Sequence, residues 1–161
     1  MNHVLRPIGL AALVVSIAAA SAAALAQQAP KPEQLIKWRQ SAFQVVAWNN
    51  ARIKASLDGT YNKEEVVKAA NTIAAIANGG LGNLFAPGSD RGKGWHDTSA
   101  KPELFQEANS KHAGELSGSF GKEASELARV ASAGDAAGVK DQFAKLNKTC
   151  KACHDDFRTK D

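Results

Sequence analysis

Thr-Cys-Lys-Ala-Cys-His-Asp-Asp-Phe-Arg, residues 149–158, holds the only two cysteines of the 161-residue chain and one of its four histidines. It also ends the clearest helical pattern in the sequence. Read backwards, Phe157, Cys153, Cys150, Leu146, Phe143 and Val139 alternate spacings of four and three, the repeat of one face of an α-helix. Both cysteines are therefore expected on the buried seam of an amphipathic helix. Gly134-Asp135 supplies the preceding stop and the new N-cap.

The same periodicity runs upstream. Over residues 32–57, Leu35, Arg39, Phe43, Val46, Asn50, Ile53 and Leu57 form a second stripe, with Pro32 in the first turn and Asp58-Gly59 as the stop. Asn62 and Glu65 read as an Asn-headed capping box, opening a helix through Val66, Ala69, Ile73 and Ile76 that Gly79-Gly80 ends. A third helix is predicted from about Pro102 to Ala133, with Gly114, Gly118 and Gly121 set either to kink it or to admit a close neighbour. No period-two strand interrupts these segments. The expected fold is all-α, an antiparallel four-helix bundle of the up-and-down kind. Residues 79–100 carry six glycines and Pro87 and read as a long loop. Leu81, Leu84, Phe85 and Trp95 are too apolar for a solvated linker, so the loop should lie on the bundle, with Trp95 in the core.

Arg6, the apolar Ala-rich run at 8–20 and Ala24-Leu25-Ala26 have the layout of a secretory signal peptide cleaved after Ala26. The domain then spans residues 27–161, enough for one core, and is expected in the periplasm. A permanent membrane anchor is the competing reading, opposed by the weak hydrophobicity of Ala and by the cleavage signal. Loss of residues 1–26 removes Arg6 and no acid, so the formal charge falls from +4 to +3. The lysines are scattered, so no nucleic-acid stripe is formed. No other apolar run is long enough to span a membrane, and none is expected to be needed after cleavage. Mild basicity suits solubility and acidic partners.

Four chemistries compete for Cys150-Lys151-Ala152-Cys153-His154. A disulfide between helix positions i and i+3 closes so small a loop that it restricts the unfolded chain little. A redox dithiol wants a helix N-terminus beside a strand, where the dipole lowers the thiol pKa; here the pair falls in the second half of a helix. Zinc needs four ligands, and Cys-Cys-His leaves the count short. Covalent haem attachment uses every piece. The thiols of Cys150 and Cys153 add to the two porphyrin vinyl groups, and His154, on the same side as Cys150, takes the iron. One haem c per chain is the expected cofactor, with His154 as the metal ligand.

A C-terminal Cys-x-x-Cys-His on the last helix of a four-helix bundle resembles the class II c-type cytochromes, the cytochrome c′ family. Trp-Arg-Gln-Ser-Ala-Phe at 38–43 is similar to that family's first-helix signature, and Leu-Phe-Ala-Pro-Gly at 84–88 to its loop after the second helix. Cys-His-Asp-Asp-Phe-Arg at 153–158 fits its C-terminal pattern. The resemblance covers about residues 32–158. It implies an Arg39 contact to a haem propionate with Gln40 nearby, and Phe43 over the distal face. It also implies Phe85 against the haem from the loop and Arg158 flanking the proximal face. Arg39 invites the propionate on its own account, because an unpaired charge on an inward stripe is costly and an anion would pair it. An arginine that snorkels to the surface is the alternative.

The sixth iron position separates the possible functions. Met opposite His is common in low-spin carriers, but the single Met here is Met1, in the segment expected to be removed. His96, between Trp95 and Asp97, and His112, beside Lys111, both read as surface histidines. Five-coordinate high-spin iron is expected, open to NO and CO, with no evident hydrogen-bond donor for O₂. Electron transfer with an unknown redox partner fits equally. A dedicated low-spin carrier with a distal His is an alternative, and a haem-free thiol–disulfide protein survives only without haem. No substrate-converting apparatus is visible, so the chain does not read as an enzyme.

The far side of the first helix carries one more expectation. Trp38 and Val45 lie about 100–120° from the centre of the inward stripe and Trp48 nearly opposite it. One core cannot bury all three, and exposed large apolar residues in a patch mark a contact surface. The resemblance implies a homodimer through the first two helices, in which a twofold axis sets this patch against its own copy. Trp38 packed on a neighbouring helix, with Trp48 half exposed, is the other reading.

Overall fold

Pro32 has no N–H to lose in a first helical turn, and from it α1 (Pro32–Asp58) runs unbroken to Gly59. α2 (Lys63–Asn78), α3 (Glu107–Ala133) and α4 (Ala136–Phe157) follow. This computed structural model describes residues 29–160, so the signal peptide expected at 1–26 lies outside the described residues. Among those described, the extended pairing amounts to two isolated bridges, Lys93 with Asp97 and Ala100 with Arg158. The fold is the antiparallel four-helix bundle.

The caps show why the helices start where they do. Asp135 accepts from the N–H groups of Ala137 and Gly138, both at 3.0 Å, and Gly134 takes the left-handed φ of +85° that ends α3. Asn62 accepts from Glu65 N at 3.2 Å, but the reciprocal half of the capping box is absent. The Glu65 carboxylate turns to Arg52 at 2.5 Å, and Ser56 Oγ takes the Asn62 N–H at 2.8 Å. An ion pair between α1 and α2 has displaced a local cap.

The third helix starts later than its pattern suggested. Pro102–Phe105 is a separate 3-10 turn, and Gln106, extended at φ −81° and ψ 138°, breaks it from α3. The three glycines of α3 do not act alike. Gly121 lies under the end of α2, where a methyl group would come within 2.9 Å of Asn78 Oδ1, whereas Gly114 and Gly118 face open space.

Val46 and Ile53 of α1, Val66, Ala69, Ala70 and Ile73 of α2, Ala124, Leu127 and Ala131 of α3, and Val139, Phe143 and Leu146 of α4 form one core. All belong to α2 and to the halves of the other helices nearest it. At ~1.5 Å per residue α1 is about 40 Å long and α2 only about 24 Å, so the bundle loses a wall at one end. Helix packing runs α1–α2, α2–α3 and α3–α4, without a comparable α1–α4 interface. That side is open.

The register of α1 also differs from its sequence stripe. Ile36 and Asn49 are fully buried, Asn50 is half-buried, and Phe43 is 38% exposed rather than in the core. Cys150 and Cys153 likewise leave the seam of α4 half-buried.

Candidate functional site

The open end is built from three pieces of chain. The Asn50 amide donates to Asn147 Oδ1 at 2.9 Å, joining α1 to α4 at one level. Because those helices are antiparallel, moving seven residues towards the open end reaches Phe43 on one and His154 on the other. Each is about 10 Å beyond the bridge. One turn further come Arg39 and Arg158. Residues 79–106 are the third piece and close the end between the two helices.

Arg39 is the centre of that closure. It is 4% exposed, and its guanidinium donates to Leu84 O (3.2 Å), Ser89 Oγ (2.8 Å), Ser89 O (2.6 Å) and Thr98 Oγ1 (2.5 Å). Four of its five N–H groups are thus satisfied by the loop, and burial holds its pKa below the ordinary value, with Asp90 opposing the shift. Neutral acceptors fifty or so residues away hold this buried charge, and the arginine does not snorkel to the surface. Gln40 does the same one residue on. Its Nε2 donates to His96 O at 2.9 Å, and its Oε1 accepts from Trp95 N at 2.8 Å. Gly94 permits this contact, since a methyl group there would stand 2.7 Å from Lys37 N.

Lys101 N donates to Phe157 O (2.9 Å) and Thr159 N to Ser99 O (2.8 Å), zipping the loop to the end of α4. Phe85 meets Phe43 edge-on with centroids 6.3 Å apart, and Phe105 lies 6.3 Å from Phe85. Arg39 covers Phe85 at 5.1 Å and Phe105 at 5.7 Å. The result is an apolar wall on α1 and the loop, backed by one arginine.

On α4 the electrostatics separate the competing chemistries. Burial pushes the thiols of Cys150 and Cys153 above their ordinary pKa, which opposes the thiolate a redox dithiol uses. Burial, helped by the Arg158 charge, pulls His154 below its ordinary value, favouring the neutral imidazole that binds a metal. Among the described residues no cluster of three His, Cys, Asp or Glu side chains could hold an ion without a cofactor. Two neutral thiols one turn apart, a neutral imidazole and a facing aromatic wall fit a flat apolar macrocycle.

A family model described as cytochrome c′ matches residues 34–158. The cytochrome c′ of Rhodocyclus tenuis is 61% identical over 132 residues, covering 81% of this chain and 98% of that protein. The chain belongs to the cytochrome c′ family. The Allochromatium vinosum member is 39% identical across 99% of this chain and all of its own length. A solved cytochrome c′ described as having an unusual ligand-controlled dimer dissociation superposes with a TM-score of 0.78 at 41% identity, covering 83% of this chain and 100% of that one. Covalent haem c is the prosthetic group of the cytochromes c′, and the cysteine pair for it here is Cys150 and Cys153 in α4.

Of the residues singled out from the sequence, Arg39, Gln40, Phe43 and Phe85 meet through the loop, while Cys150, Cys153, His154 and Arg158 follow one another along the end of α4. Ser89, Thr98 and Phe105 join them and were missed. Phe105 was hidden inside a presumed first turn of α3, and nothing in the sequence marks Ser89 among other loop polar residues. Trp95 is not core: it is 62% exposed, its Nε1 donates to Ser41 Oγ at 2.8 Å, and Lys37 caps its ring at 3.9 Å. His112 lies against Asp156 at 2.8 Å and Phe157 at 5.6 Å, while His96 contacts Gln40; both are exposed.

Proposed function

We propose that residues 27–161 act in the periplasm, after cleavage at Ala26, as a five-coordinate high-spin haem protein that binds NO and CO and exchanges electrons, without being an enzyme. Cys150 and Cys153 hold the haem through thioether bonds and His154 ligates its iron. The carrying observation is the level match of His154 with Phe43, a side chain with no atom to offer a metal. When bound, the haem supplies an iron that accepts a diatomic ligand or an electron.

The protein's residues set the terms of that chemistry. Phe43 and Phe85 crowd the distal face and exclude water, so ligands must displace aromatic surface to enter. The side chain that meets Phe43 in this wall is the aromatic ring of Phe85, and an apolar face favours NO and CO over O₂. Arg39 keeps one N–H, Nε, for a propionate, while Gln40 secures the loop. Arg158 flanks the proximal side, where its charge favours neutral His154. Trp38, Val45 and Trp48 remain exposed on α1 and support pairing of two copies through the α1–α2 face.

The decisive measurement is spectroscopic. At neutral pH the ferric protein should be high-spin, and the ferrous protein should shift its Soret band on adding CO. Low-spin spectra that persist in both His96→Ala and His112→Ala would overturn the open-face reading.

A further inference from the structure

On the open side α1 and α4 pass each other without a packed interface comparable to those of the other neighbouring helices. Their separation there is held at two levels. At the mouth, Arg39 and Gln40 tie α1 to the loop, and Lys101 N and Thr159 N tie the loop to the end of α4. At the floor, the Asn50 amide meets Asn147 Oδ1 directly at 2.9 Å. Phe43 and His154 lie between these ties, about 10 Å above the floor and about 6 Å below the level of Arg39.

The neighbouring asparagine shows what is particular about this bond. Asn49 is fully buried and uses its side chain within α1, donating to Val45 O at 2.9 Å and accepting from Arg52 at 2.8 Å. Asn50 and Asn147 are half-buried, and their bond runs between helices. Two amides partly screened from water hold each other only while the helices keep one spacing, because a hydrogen bond weakens steeply once its geometry is lost. Such a bond can fix a helix where packing does not.

We infer that Asn50 and Asn147 are a positioning pair for the diatomic ligand: their bond sets the spacing between the Phe43 wall and the His154 helix, and with it the room over the iron. With the floor tie intact, Phe43 stays at the level of His154 and a ligand enters against aromatic surface. With the tie broken, no packed helix interface among the described residues draws α1 back to α4, so α1 relaxes outward and the face opens. The inference rests on the open-face reading proposed above and names what holds its distal wall in place.

The test uses the haem-loaded protein and two readouts, CO association to the ferrous iron and denaturant unfolding. Asn50→Ala removes the donor and should quicken CO association about tenfold, the equivalent of ~1.4 kcal/mol of barrier. Asn50→Asp keeps the shape and leaves an acceptor that the Asn147 amide can meet by turning over, so it should bring the rate back to within about twofold of wild type. Adding Asn147→Asp to it changes no volume but sets carboxylate against carboxylate, and the fast rate should return. In unfolding, the two Asp substitutions should be non-additive by about fivefold in the equilibrium constant, as expected of groups in contact. Coupling in unfolding without coupling in CO association would make the pair structural only and overturn the inference. So would an Asn50→Asp protein as fast as Asn50→Ala. In both cases CO still binds and the open-face reading stands. A wild-type ferrous protein that binds no CO overturns that reading and the positioning role together.

Discussion

The two ends of this bundle are held by different physics. At the end where all four helices run side by side, alanine, valine, isoleucine and leucine close a dry core, and its cohesion is apolar burial. At the other end α2 has stopped, and the space is bordered by a buried arginine, three phenylalanines, two thiols and a loop. There the loop is tied down by polar bonds, most of them to Arg39 and Gln40. Changes at the closed end should therefore act on stability alone, and changes at the open end on the haem, its ligands and the loop that Arg39 ties down.

The largest effect belongs to the open end. Cys150→Ala combined with Cys153→Ala should abolish covalent attachment, so that acidified acetone extracts whatever haem remains; haem retained in that variant would mean a different anchor. At the closed end, Leu127→Ala should cost about 2–5 kcal/mol in denaturant unfolding, since it empties a fully buried site shared by the helices. Its haem spectrum should not move. A spectral change of the kind caused by open-end variants would erase the division between the two ends.

Arg39→Ala comes next, at about 1.5–3 kcal/mol, because it strips charged hydrogen bonds from Leu84, Ser89 and Thr98. Proteolysis should then cut within residues 79–100. Arg39→Lys should restore little, since an ammonium cannot reproduce the planar fork. Resistance of that loop to protease in the alanine variant would show that Gln40 and Gly94 hold it unaided. The smallest effect is at Phe43→Ala, where CO association should quicken about tenfold, equivalent to about 1.4 kcal/mol less steric work. Unchanged CO kinetics would place the aromatic wall away from the ligand's path.

How much of this was legible in the chain differs between the same two ends. Val139, Phe143 and Leu146 are core because the four-three spacing put them there, and the caps at Asn62 and Asp135 are where short polar side chains precede helical runs. The haem-binding motif was equally local, five consecutive residues. The same spacing took Asn50 for Asn49, while the apolar content of the loop put Trp95 in the core and Pro102 started the third helix too early. Phe105 and Trp95 lie in the segment between α2 and α3, whose contacts are with residues far away in the sequence.

Helix positions and the Cys-x-x-Cys-His chemistry follow from residues within a turn or two of each other, so periodicity and motif reveal them without a partner. The length mismatch between α1 and α2 is also in the sequence, but its consequence appears only when the helices stand side by side and one falls short. Arg39 then finds acceptors 45, 50 and 59 residues away, in a loop whose serines and threonines look like any others until the backbone folds over α1. Non-local pairing leaves no spacing rule behind. That is why the helices were readable from the chain and the walls around the haem site were not.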